Sequence, residues 1–159
     1  MREILELLEE DGRITPEEIA IRLGREVEWV TKVLKELEKE KVILSNKTLI
    51  NWDLVGGNGI TAVIEVKVTP EREVGFEKVA ERIYRFPQVR NVYLMSGAYD
   101  LLVIIEGKTM KEVAFFVAEK LATLEHVQGT ATHFVLKKYK QDGVIFEDKE
   151  EDFRLVVTP

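Results

Sequence analysis

Residues 89–106 read VRNVYLMSGAYDLLVIIE. Two β-branched and aromatic runs, 89–95 and 101–106, flank the five residues Ser96-Gly97-Ala98-Tyr99-Asp100. Apolar runs of this length bounded by a turn cluster read as paired strands, and the unbroken LLVIIE places its strand inside a sheet rather than at an edge. Two readings of SGAYD fit. It is a hairpin turn, with Gly97 free to take positive φ and Asp100 bonding its own backbone. Or the same turn also holds a ligand.

Upstream of this hairpin, ITAVIEVKV (60–68) alternates as a strand, Pro70-Glu71 marks a turn, and Phe76, Val79, Ala80, Ile83 and Tyr84 form a helical stripe ended by Phe86-Pro87. Downstream, Thr109 caps a helix expected to run through Leu124, with Val113, Phe116, Val117, Lys120 and Leu121 on its inner side; the last strand covers 129–140. The order β-α-β-β-α-β is a ferredoxin-like split βαβ unit over 60–140. Both helices fall on one sheet face, and small domains of this kind often cover the other face by dimerising.

The first 51 residues have a different rhythm. Ile4, Leu5, Leu7 and Leu8 mark one helix, stopped at Asp11-Gly12. Thr15-Pro16-Glu17-Glu18 starts a second helix with a capping box, and Gly24 ends it. Val30, Val33, Leu34 and Leu37 face the core from a third helix over 27–40. VIL (42–44), Ser45-Asn46-Lys47 and TLI (48–50) then suggest a small hairpin wing. Three helices, a tight glycine turn before the third, and a wing give a winged helix-turn-helix. WDLVGGNG, continuing to 59, reads as a linker; without a following Lys-Ser or Lys-Thr it is no P-loop. The fold class is therefore α+β, with domains at 1–51 and 60–140 and an acidic extension at 141–159. Within that extension VIF (144–146) and FRLVV (153–157) look strand-like, either as a hairpin on the sheet edge or as an element swapped onto a partner.

Composition narrows the function. The chain has 159 residues, 45% hydrophobic and 33% charged, with no cysteine. That excludes disulfides and cysteine-ligated zinc, and is in keeping with a cytoplasmic protein. No apolar run approaches the ~18 residues of a membrane span, and the acidic amphipathic N-terminus has no secretory pattern. The net charge is -6, and nine Lys/Arg meet twelve Asp/Glu in residues 1–52, so there is no basic tail. His126 and His133 stand without a matching ligand set, so no metal is expected. The acidic run from Glu147 to Asp152 lacks the glycine and spaced glutamate of a calcium loop and reads as a solvated surface. No nucleophile–base–carboxylate pattern occurs, so neither an enzyme nor a cofactor is expected.

In a helix-turn-helix the third helix meets base edges. Its outer face offers Glu28, Trp29, Thr31, Lys32, Lys35 and Glu36. Lys32 and Lys35 suit phosphate or base contacts, Thr31 a base or thymine methyl, and Arg22 and Arg25 the flanking backbone. Trp29 reads more readily as a packing residue than as a base reader.

The sequence as a whole resembles the leucine-responsive and asparagine-regulator (Lrp/AsnC) transcription factors. ILELLEEDGRITPEEIAIRLG, VTKVLKELEKEKVI, NWDLVG, FPQVRNVYLMSGAYDLLVIIEG and GTATHFVLKKYK carry the resemblance, in that order, across residues 1–140. It implies a C-terminal domain of the RAM or ACT-like kind that dimerises, often assembles into octamers, and binds an amino-acid effector between subunits. It also implies double-stranded DNA as the partner. The G-x-[YF]-D turn of that family borders the effector pocket, and Gly97, Tyr99 and Asp100 match it, with Ser96 adjacent. An amino acid presents an ammonium that Asp100 can pair and a carboxylate that glycine amides can approach. Thr130 and Thr132 share a strand face and are candidates for hydroxyl contacts. The third helix departs from the family pattern, which has a serine cap and paired arginines. Here Glu26 is the cap, Thr31-Lys32 replaces the arginine pair, and Lys41 replaces the usual glycine before the wing. Weak DNA binding by an isolated dimer follows, and a same-fold sensor or assembly protein without sequence-specific DNA binding is the alternative.

Overall fold

The computed structural model describes residues 1–57, 59–69 and 75–146. The Pro70-Glu71 turn, the acidic run 147–152 and FRLVV lie outside the described residues. The chain forms two compact units, Met1–Ile50 and Asn51 onward.

The first unit holds α1 (Arg2–Glu10), α2 (Pro16–Leu23) and α3 (Val27–Lys39). Its core is Ile4, Ile14, Ile19, Ala20, Val30, Val33 and Leu37, with Leu5, Leu8, Leu23 and Ile43 packed around it. The capping box forms as the sequence predicts. Glu18 N–H donates to Thr15 Oγ1 at 3.2 Å, and Thr15 N–H donates back to the Glu18 carboxylate at 2.8 Å. Gly24 ends α2 in the left-handed region at φ 61°, where Arg25 N–H closes on the Ala20 carbonyl at 2.9 Å. That single turn fixes α3 directly against α2.

Beyond α3 the structure departs from expectation. Lys41, at φ 58°, turns the chain, and Val42 N–H returns to the Leu37 carbonyl at 2.9 Å. Residues 42–50 then form no strand, so the wing hairpin expected at 42–44 and 48–50 is not built. Of its apolar residues only Ile43 packs on the helical core; Val42, Leu44, Leu49 and Ile50 are exposed. A two-stranded hairpin with no covered face is marginal in water.

The second unit opens with a 3-10 turn at Trp52–Val55, closed by Gly57 N–H on the Trp52 carbonyl at 2.9 Å. Then follow β1 (Ile60–Val68), α4 (Gly75–Tyr84), β2 (Val89–Leu94), β3 (Leu101–Gly107), α5 (Met110–Phe116, continued by a π turn Val117–Leu121) and β4 (Val127–Phe134). The sheet order is β2-β3-β1-β4 with every neighbour antiparallel, so β3 is interior, as its apolar run implied. Ala62, Ile64 and Val66 of β1 and Leu101, Val103 and Ile105 of β3 pack against Val79 and Ile83 of α4 and Val113, Phe116, Val117 and Leu121 of α5. Both helices therefore cover one sheet face. Tyr84, expected on the buried stripe of α4, is 57% exposed at the helix end.

The π turn corrects the reading of α5. A straight α-helix would carry Lys120 inward and continue to Leu124. Here Ala122 N–H reaches back five residues to the Val117 carbonyl at 2.8 Å. The extra residue in that turn swings Lys120 out to solvent and brings Leu121 fully into the core. The last strand also differs from the expected 129–140. It runs Val127–Phe134, and the chain then makes a separate small hairpin of β5 (Lys140–Gln141) and β6 (Val144–Ile145). Asn51 donates from Nδ2 to the Phe146 carbonyl at 3.4 Å beside that hairpin.

Candidate DNA-reading helix and effector turn

With Val30, Val33 and Leu37 buried, α3 turns Glu28, Lys32, Lys35 and Lys39 outward. Lys39, one turn beyond Lys35, belongs to this face although the sequence reading did not single it out. Its signal was the i, i+3, i+7 spacing of Lys32, Lys35 and Lys39. Thr31 is half-buried, and its hydroxyl donates to the Val27 carbonyl at 2.9 Å. Its proton is thus already used, leaving the methyl and oxygen lone pairs for a base. Glu26 stands at the N-cap of α3 and makes no side-chain cap bond, so the helix start lacks the acceptor that a serine would supply. Arg22 and Arg25 are exposed at either side of the Gly24 turn. Trp29 is not in the core: it is 41% exposed, and the Arg25 guanidinium lies 5.3 Å from its ring centre.

The turn at 95–100 is held by three bonds. Met95 N–H donates to the Asp100 carbonyl at 2.8 Å, Asp100 N–H to the Val66 carbonyl at 3.1 Å, and Val68 N–H to Asp100 Oδ2 at 2.8 Å. The last contact supplies a partner to β1 just past the end of β3, where the β1–β4 register also shifts between Lys67 and Val68. So Asp100 does do turn chemistry, and does it with one carboxylate oxygen. Oδ1 makes no hydrogen bond among the described residues. Gly97 sits at φ 138° with open space where a Cβ would project. Ser96 is exposed, and Tyr99 and Asp100 are half-buried. Thr130 and Thr132 pair with Val66 and Ile64, so they lie on the helix-covered side of β4. They are separated from the turn by β1, and within one chain the two groups do not meet.

Comparisons with known proteins bear on the two domains as wholes. The profile of the Lrp/AsnC ligand binding domain matches residues 61–145, and that of a winged helix-turn-helix DNA-binding domain matches residues 1–43. The chain belongs to the Lrp/AsnC family. It is similar to the helix-turn-helix transcriptional regulator YugG of Bacillus subtilis, at 54% identity over 99% of this chain and 95% of that one. It is also similar to a Neisseria meningitidis transcriptional regulator whose crystal structure is an L-methionine complex, with 27% identity, a TM-score of 0.70, and coverage of 87% of this chain and 89% of that one. The fold further matches AsnC of Escherichia coli at a TM-score of 0.67 and 17% identity, over 88% of this chain and 92% of that one. As an Lrp/AsnC member the chain is a DNA-binding transcriptional regulator with a ligand-binding domain, and its relatives are regulators rather than enzymes. Among the described residues no helix is long and apolar enough to cross a membrane, and no cluster of His or carboxylate side chains has the makings of a metal site.

Proposed function

We propose that this regulator assembles through its C-terminal sheet and senses an amino acid at the Ser96–Asp100 turn, where a neighbouring subunit completes the pocket. The observation that carries this reading is the division of labour on Asp100. Val68 N–H fixes Oδ2, while Oδ1 is left to accept from an ammonium beside the open backbone of Gly97. The L-methionine complex of the Neisseria relative supports an amino acid as the ligand class. Thr130 and Thr132 lie a strand away, so their contribution would need local rearrangement or come through β4. DNA engagement rests on Lys32, Lys35 and Thr31 from α3, with Arg22 and Arg25 at its entrance. The ligand regulates by favouring one assembly over another, which requires different affinities for the two.

The test is a thermal-shift screen of the purified protein against the twenty amino acids, with Asp100→Asn alongside. Asparagine retains an acceptor for Val68 N–H but removes the charge. A ligand that stabilises the parent and not the variant supports the sensor reading, because binding to the folded state raises its stability. No shift with any amino acid overturns it.

A further inference from the structure

Arg25 and Trp29 touch each other across the entry to α3. An indole at this place in a fifty-residue unit would ordinarily be spent on the core, but Trp29 is absent from it. It lies at the third position of α3, on the rim of the lysine-bearing face, and remains 41% exposed. The Arg25 guanidinium rests over the ring at 5.3 Å. Glu26 and Glu28 are its sequence neighbours, yet among the described residues no carboxylate pairs with Arg25. The arginine is held by an aromatic face, which leaves all its N–H donors uncommitted.

We infer that Arg25 and Trp29 act as one base-reading unit, with the indole as a positioning residue that holds the guanidinium for bidentate recognition of a guanine edge in the major groove. The N-terminal end of the third helix is the part of a helix-turn-helix that meets base edges. Arginine paired to guanine O6 and N7 is the commonest specific contact there, and it depends on a planar fork with little freedom left to lose. Stacking on Trp29 supplies that restriction. A chain without the family's arginine pair in α3 would thereby recover one specific contact from the turn that precedes it. This rests on the chain binding DNA through α3.

Selection from a randomised duplex library with the full-length parent protein defines a preferred site, and Arg25→Lys, Trp29→Ala and Trp29→Phe are then measured on it and on a scrambled duplex. Arg25→Lys keeps the charge, so the salt dependence of binding should hold while the preference for one G·C pair falls about tenfold or more. Trp29→Ala should relax preference at the same pair, again with an unchanged salt slope, and Trp29→Phe should restore part of it. A guanidinium that merely touches phosphate predicts the reverse, with Arg25→Lys and Trp29→Ala both keeping the parent's sequence preference; that result overturns the inference and spares the regulator reading. A parent chain that enriches no duplex overturns both. Should Trp29→Ala fail to fold, Trp52→Phe leaves Trp29 as the sole tryptophan, and its emission must change when the selected duplex is added. An unchanged emission on a bound complex counts against the pair.

Discussion

Asp100 has one role fixed by the fold and a second that is proposed. Its Oδ2 is fixed by Val68 N–H at 2.8 Å. Asp100→Ala therefore removes an acceptor as well as a charge, and we expect a stability loss of ~1–3 kcal/mol from the half-buried amide left behind. Asp100→Asn should lose far less. Thermal unfolding of the two variants without ligand separates these effects; equal losses would mean that the Val68 contact contributes little. Glu26 offers the opposite case. It caps α3 without a side-chain hydrogen bond and places a carboxylate at the helix end proposed to face DNA. Glu26→Ser should stabilise the first unit by ~1 kcal/mol, since serine can accept from the first-turn amides. The same substitution should tighten DNA binding by removing a repulsive charge, which titration of one duplex at fixed salt would show.

At the scale of elements, the proposed DNA contact through α3 is open to a direct test. Lys32 and Lys35 share its outward face. Replacing either with Gln should reduce the slope of log K against log salt by about one, with affinity falling across all sequences alike. A slope that stays constant would place these lysines off the phosphate backbone. Local patterns in the sequence located several elements. Thr15, Pro16 and Glu18 announced α2, and the apolar run after Asp100 announced an interior strand. Such patterns misled where the backbone left its regular path. Nothing in Val113-Ala114-Phe115-Phe116-Val117 signals a π turn, because the α and π registers differ only over the next few residues, and Lys120 was read inward in consequence. The wing failed for another reason: strand propensity at 42–50 was real, but only Ile43 of that segment packs on the helical core, and the rest of its apolar side chains are exposed. The spacing along α3 places Trp29 on the outer face, where it is exposed, but its contact with Arg25 crosses the turn into α3 and is not encoded in that spacing. For the effector turn, the residue types were legible but the Val68 contact was not. That bond joins positions 32 apart and exists only once β1 and β3 are in register.

For the whole molecule, the decisive feature is the sheet face that α4 and α5 do not cover. Register places Tyr93, Leu102, Glu65 and Ala131 in one row across the four strands, and Asn91, Ile104, Val63 and His133 in the next. The middle of this face is apolar, formed by Leu102, Ile104 and Val63, and each is half-buried within a single chain. Its β4 side is polar, where His133 Nε2 lies 3.3 Å from the Glu65 carboxylate. An apolar centre with a charged flank is the distribution expected of a surface that meets a copy of itself, since a two-fold axis brings centre to centre. Ile104 lies on interior strand β3, with its side chain away from the helices. A lysine there leaves the core of Val103 and Ile105 intact and introduces a charge that a packed interface must desolvate. We expect Ile104→Lys to keep its far-UV dichroism and unfolding temperature near those of the parent while sedimentation velocity shows monomers where the parent is oligomeric. Under the proposed two-subunit pocket, effector binding should fall with it, because Thr130, Thr132 and the turn do not converge within one subunit. An Ile104→Lys protein that stays assembled would move the interface off this face, and a monomeric one that still binds its amino acid would place the whole pocket within a single chain.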